Sequence, residues 1–466
     1  MSKPSAEQEW SKSEFQKIDI GDTRLNERFQ KIAAELAATP GGPINQASED
    51  SAATKAAYRF FQNERATIKT IFGPHQERTV ERIKGEPLVI AIQDTTYVNY
   101  TNHKKTSGLG PIGDSRSDSQ GLAVHSTLAV TTQGLPLGLL GQKIWAREGY
   151  NQQSARERKN TPIEQKESYR WIEGLEHTSD LTPHGTRVIT VCDRECDIYE
   201  FFVVAQRCNA EFVVRASWDR HLENSEFSCL WKHLEAESVA GNYEIVVLPT
   251  DKRKGRTCTL EVRFATVTLG PTQRHKSSSF YPLSPVPLYA VYAVEINPPA
   301  GEEKVEWMLL SNVPVSSFAE AIEKIDWYKC RWLIETFHKV LKSGCTVEEC
   351  RLQTEKRLSR YITLMSIVAW RIFWMTHLKR TNPKAPATTI LTLNELRTLI
   401  AIDTGDANPT SLELTVAQTV VAIAKLGGFL ARKHDKNPGN TSIWRGWSRL
   451  QDAALLGSVV FAKRCG

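Results

Sequence analysis

The sequence predicts a multidomain α/β chain in which helices come first, then a mixed sheet with helices, a β-rich stretch, and helices again to the end. Three observations carry that prediction. Leu88–Ile92 and Arg187–Cys192 are apolar on both faces, as buried central strands are, and each runs into an aspartate, Asp94 or Asp193. The stretch from Asp326 to Lys342 contains no proline; Ser317 and Glu320 offer a capping box before it and Gly344 a stop after it. It reads as one helix or two abutting ones.

Taken in order, Arg24 to Ala38 and Ser51 to Asn63 are predicted helices, the first ended by Pro40-Gly41-Gly42. Arg24, Arg28 and Lys31 recur at helical spacing and form a basic face, which is a solvated surface unless DNA covers it. After the first buried strand, Leu122–Thr131 and Leu135–Trp145 alternate around Thr132-Gln133-Gly134 and predict a hairpin. Pro162 opens a predicted helix through Trp171 to about Leu175, and a further helix spans about Asp197 to Gln206. Between residues 211 and 311, the segments Tyr243–Leu248, Thr257–Leu269, Leu288–Ile296 and Val305–Ser311 are predicted strands, with a Pro/Ser-rich loop from Gly270 to Pro287. An insertion of that size suggests a substrate-binding subdomain. A long apolar helix to about Leu378, a linker at 380–386 and a last helical region complete the chain.

At 466 residues the chain can bury a full core and is expected to form several domains. Its net charge of +6 decides little, but Lys252-Arg253-Lys254-Gly255-Arg256 and Arg432-Lys433-His434 are compact basic clusters. The nine cysteines include no C-x-x-C pair with the partners of a zinc site and read as reduced cytosolic thiols. The N-terminus lacks an apolar signal core, which argues against secretion. Arg360 and Arg371 interrupt the most apolar run, Leu358 to Leu378, so it reads as a buried helix rather than a membrane span.

If the two buried strands lie parallel and adjacent, Asp94 and Asp193 meet at one sheet edge, where ligand sites of open α/β sheets lie. Two carboxylates so placed repel unless a cation sits between them. With Glu335 they form an all-oxygen set suited to two Mg²⁺ ions, with Mn²⁺ as a substitute. At roughly 100° per residue, Arg331, Glu335 and Lys342 fall about 300°, 340° and 320° round from Tyr328, so the four are expected on one narrow stripe. A helical ion pair on a solvated face is the plain explanation of Arg331 and Glu335. Flanking Trp327, Trp332 and Phe337 argue instead for a phosphodiester held by Tyr328, Arg331 and Lys342.

The pattern Tyr-x2-Arg-x3-Glu-x6-Lys at Tyr328, Arg331, Glu335 and Lys342 resembles the signature of the cut-and-paste DDE transposases of bacterial insertion sequences. The likeness is to the IS-four family and, within it, the Tn-five type. Asp94-Thr95-Thr96, Val191-Cys192-Asp193-Arg194-Glu195, Phe212-Val213-Val214-Arg215, Glu295-Ile296-Asn297-Pro298-Pro299, Trp307-x-Leu309-Leu310 and Leu426-Gly427-Gly428-Phe429 add to it. The resemblance implies a helical N-terminal domain over 1–70 that binds transposon ends and a ribonuclease-H-like catalytic domain over 71–379 with its β-rich insertion. A helical dimerisation domain over 380–466 follows. It implies Mg²⁺-dependent nicking, hairpin formation and resolution, and strand transfer, by a homodimer in a synaptic complex on double-stranded DNA in the bacterial cytoplasm, at the nucleoid.

By position the resemblance assigns Trp307 to stack on a flipped base, beside Trp332. Arg24, Arg28, Arg59, Arg215, Arg220, Lys252, Arg253 and Lys254 are the expected contacts to end DNA. The chain departs from the pattern at Arg24-Leu25, Leu333 and Lys143-Ile144-Trp145, which bears on end recognition and not on the acids. Two other classes fit less well, a DNA-binding regulator without catalysis and a stand-alone nuclease of the same fold. The three acids oppose the first; joining of ends to a target would distinguish the second.

Overall fold

A computed structural model describes residues 6–113, 117–149, 157, 161–223, 225–247, 255–271, 284–407, 409–432, 434–435 and 437–462. Lys252, Arg253 and Lys254 lie outside the described residues, as does most of the Gly270–Pro287 loop. The N-terminal helices are α1 (Ala6–Glu14), α2 (Thr23–Ala38), α3 (Ile44–Ala47), α4 (Ser51–Gln62) and α5 (Ile68–Ile83). Asp22 and Asp50 cap α2 and α4 by accepting from backbone N–H groups of the first turns. Phe29, Phe60 and Phe61 form a chain of ring contacts that ends on Tyr361, so this helical unit shares one core with the rest of the molecule.

The strands are β1 (Leu88–Asn99), β2 (Gly110–Pro111), β3 (Gln120–Thr131), β4 (Pro136–Trp145), β5 (Arg187–Cys192), β6 (Glu211–Arg215), β7 (Gly241–Val247), β8 (Arg256–Leu269), β9 (Val286–Glu295) and β10 (Glu306–Ser311). All belong to one ten-stranded sheet. β1, β3 and β4 pair antiparallel, while β5 and then β6 lie parallel to β1 on its other side. Three antiparallel strands followed by two parallel ones are compatible with the ribonuclease-H-like core that the resemblance implies. The insertion is no separate sheet: β10 pairs antiparallel with β6, and β9, β8 and β7 continue outward from it.

Between β4 and β5, Pro162 caps only a short 3-10 turn, and the helix α6 runs from Arg170 to Leu181, later than its expected start. The helices α7 (Tyr199–Arg207) and α8 (Leu230–Ala236) follow. The signature stretch forms two helices, α9 (Phe318–Lys329) and α10 (Trp332–Lys339). α11 (Glu355–Thr381) is buried along most of its length, and α12 (Leu393–Thr404), α13 (Val416–Leu426) and α14 (Asn440–Ala462) close the chain. No described helix is long and apolar enough to cross a membrane. Trp444 and Trp447 are buried within the chain itself, where Trp444 packs on Gly344, so they close the domain.

Candidate active site

Strand periodicity puts the site on one face of the sheet. In β1, Ile90, Ile92 and Val98 belong to the core under the helices of the signature, whereas Val89 and Ala91 face the opposite layer. By the same alternation Ile189, Val191, Val213 and Leu309 share the first face. Asp94, Asp193, Arg215 and Trp307, each an even number of residues away along its strand, therefore project to that face. Ile92 pairs with Val191 and Val191 with Val213, so two residues further on Asp94, Asp193 and Arg215 stand side by side across three strands.

Asp94 is not at a strand end, as the sequence suggested. β1 continues to Asn99 because β3 pairs with it up to that residue, although its parallel pairing with β5 stops at Ile92 and Val191. Asp193 does follow the last residue of β5, and its carboxylate accepts from the Glu195 N–H at 2.9 Å. Burial, with Asp94 and Glu195 adding negative charge, raises the Asp193 carboxyl to about 6.

Between α9 and α10 the chain tightens through Arg331 N–H to Tyr328 C=O and Leu333 N–H to Cys330 C=O, both i to i−3 bonds of 2.9 Å. This break keeps Tyr328, Arg331 and Glu335 together but alters the single-helix phase. Tyr328 is buried edge-on against Trp307, ring centroids 5.3 Å apart, and interacts through its hydroxyl with Arg215. Arg331 lies over the Tyr328 ring and donates to Glu335 at 2.5 Å. Burial alone would lower the Arg331 guanidinium; Tyr328, Glu335 and Asp94 together hold it above its ordinary range.

Arg215, Trp307, Tyr328, Arg331, Trp332 and Glu335 line a groove of about 890 Å³. Arg194 and Lys339 also line it, and sequence reasoning missed both. Lys339 was findable, one helical turn after Glu335. Lys342, expected on the same stripe, does not line the groove. After Lys339 the helix widens into a π turn over Val340–Gly344, and the Lys342 ammonium stands 3.6 Å from Glu348.

Among the expected DNA contacts, Arg24, Arg28 and Arg59 are exposed on α2 and α4. Lys31, the third residue of the basic face, is paired to Glu49 at 2.7 Å. Arg220 has a different job from the one expected. Its guanidinium donates to the carboxylate of Asp197 at 2.7 Å and to its backbone oxygen at 2.6 Å. That carboxylate is fully buried and also accepts from the N–H groups of Ser217 and Trp218, so Arg220 is consumed in holding the loop after β6.

The acids are not gathered round one point: among the described residues no three His, Cys, Asp or Glu side chains are grouped to hold a metal ion. Asp94 and Asp193 are brought together, while Glu335 is drawn onto Arg331. The donor chemistry nevertheless suits a hard divalent cation: burial and the negative charge of Asp94 raise the proton affinity of Asp193, and the carboxylates offer hard oxygen donors, with the His338 Nδ1 standing 3.7 Å from Asp94.

Three family models match the chain, in order. A model described as transposase DNA-binding covers residues 7–66, a transposase DDE domain covers 153–371, and a transposase Tn5 dimerisation domain covers 367–463. A DNA-binding unit, a DDE domain and a dimerisation unit in this order, with a mixed sheet carrying paired aspartates, define a DDE transposase. The chain belongs to the Tn5-type DDE transposases. The DDE match begins after Asp94, whose place beside Asp193 therefore rests on sheet register.

Proposed function

We propose that this transposase moves an insertion sequence by cut-and-paste, by nicking, hairpin formation and resolution at the transposon ends, and transfer of the freed ends into target DNA. The observation that carries the reading is the common row of Asp94 and Asp193 under the Arg331–Glu335 pair, beside a groove lined by cations and aromatic rings. Two Mg²⁺ ions, or Mn²⁺ in their place, would be held by carboxylate oxygens of Asp94, Asp193 and Glu335 and would supply activation of a hydroxyl and stabilisation of the leaving oxygen.

The chain's own residues do the rest. Arg331 offers a planar fork to a phosphate, Arg215 and Tyr328 orient it from below, and Lys342 adds a point charge further along the backbone. Trp307, braced by Tyr328, provides a face on which an extruded base can stack, and Trp332 borders the same groove. Removal of one base from the duplex relaxes the strand enough for the nicked end's 3′-hydroxyl to reach the opposite strand. Arg24, Arg28 and Arg59 contact the end sequence, and two copies of the chain form the synaptic complex, in the bacterial cytoplasm at the nucleoid.

The test is a labelled duplex carrying the element's own end, incubated with protein and Mg²⁺. The wild type forms hairpins, whereas Asp94→Ala, Asp193→Ala and Glu335→Ala each bind the end and leave it uncut. Substantial cleavage by any of the three overturns the assignment.

A further inference from the structure

We propose that His338 is a positioning residue for Asp94: its Nδ1–H donates to Oδ2 of that carboxylate when Asp94 turns to hold a cation, fixing one oxygen and leaving the other for the ion. This inference rests on the divalent-cation reading of the site.

His338 lies on α10, one turn after Glu335 and on the side that faces β1. It is 5% exposed, and its ring packs against Phe337. Nδ1 stands 3.7 Å from Oδ2 of Asp94, just beyond hydrogen-bond length, and Nε2 is buried with no hydrogen-bond partner. A buried imidazole that satisfies neither nitrogen is a poor way to fill space; a leucine would pack there without an orphaned polar atom. What the ring does face is the Asp94 carboxylate. A proton on Nδ1 meets the negative charge of Asp94, while the bare Nε2 lone pair points into the core. A small rotation of Asp94 closes the gap.

The experiment titrates Mn²⁺ into the protein bound to end DNA and reads free Mn²⁺ by electron paramagnetic resonance. His338→Leu is expected to weaken Mn²⁺ binding about ten- to a hundredfold, as loss of an orienting partner does. His338→Asn, whose amide nitrogen overlies Nδ1, stays within a few-fold of wild type, and His338→Gln, whose amide overlies Nε2, behaves like leucine. Gel shift on the end DNA is unchanged in all three. Should leucine disturb folding, seen as early thermal unfolding, the Asn and Gln pair carries the comparison. Equal Mn²⁺ affinity in wild type and both variants of that pair overturns the inference. Asp94→Ala separates the two levels: if it loses Mn²⁺ while the His338 variants do not, only the role of His338 falls. If Asp94→Ala retains Mn²⁺ fully, the cation reading falls and takes this inference with it.

Discussion

Arg331 holds Glu335 by a 2.5 Å charge-assisted hydrogen bond while its positive charge also acts on Asp94 and Asp193. One guanidinium thus stands where added positive charge would relieve all three acids. Under the proposed function, the same fork takes a phosphate of bound DNA.

Arg331→Ala is therefore expected to cut end cleavage by about ten- to a hundredfold, the size of a lost hydrogen bond to a charged group. Arg331→Lys keeps the charge but loses the fork and recovers only part. Single-turnover nicking of a labelled end measures both; wild-type rates in Arg331→Ala would remove Arg331 from the site.

A pH dependence follows from Asp193. Burial raises its folded carboxyl to about 6 from the ordinary 3.8, so between those values the folded chain holds more proton than the unfolded one. The stability it contributes is complete below about pH 4 and is lost as pH rises through about 6. Without divalent cations, Asp193→Asn should be more stable than wild type near pH 8 by on the order of 2–3 kcal/mol, and the difference should vanish near pH 4. Urea unfolding at the two pH values checks this. Added Mg²⁺ should stabilise the wild type alone.

Trp307→Ala is expected to lower hairpin formation by roughly 5- to 100-fold, the range of one base–aromatic stack, and to leave the first nick near wild type. Trp307→Phe should restore most of the loss. A denaturing gel that resolves nicked and hairpin products reads the two steps separately, and an equal loss in both would make Trp307 a packing residue beside Tyr328.

Arg220→Ala should act on folding rather than on DNA. It strands the fully buried carboxylate of Asp197, a loss of about 3–5 kcal/mol. Chemical denaturation should show that drop, and DNA affinity per folded molecule should be unchanged.

Much of the architecture was legible because it is written in local periodicity. β1 and β5 announced themselves by being apolar on both faces, and the capping Ser317 and the four insertion strands fell within a few residues of their expected ends. Where reading failed, distant contacts had overridden local cues. β1 extends past Asp94 only because β3 supports it, which no feature of Gln93–Thr96 reveals. Lys342 left the stripe because the helix widens into a π turn. Arg220 is expected on end DNA from the sequence, which gives no sign that the buried Asp197 carboxylate takes its guanidinium. His338 carried no signal except its place one turn after Glu335.

The unbroken hydrogen bonding from β6 to β10 and outward gives the groove a wall it cannot swing aside. Trp307 and Arg215 ride on neighbouring strands of a single plate, so a hinge that parts them would have to tear backbone pairing apart. If this groove holds nucleic acid, as proposed, the duplex comes and goes across its open side, with no strand of this wall acting as a jaw.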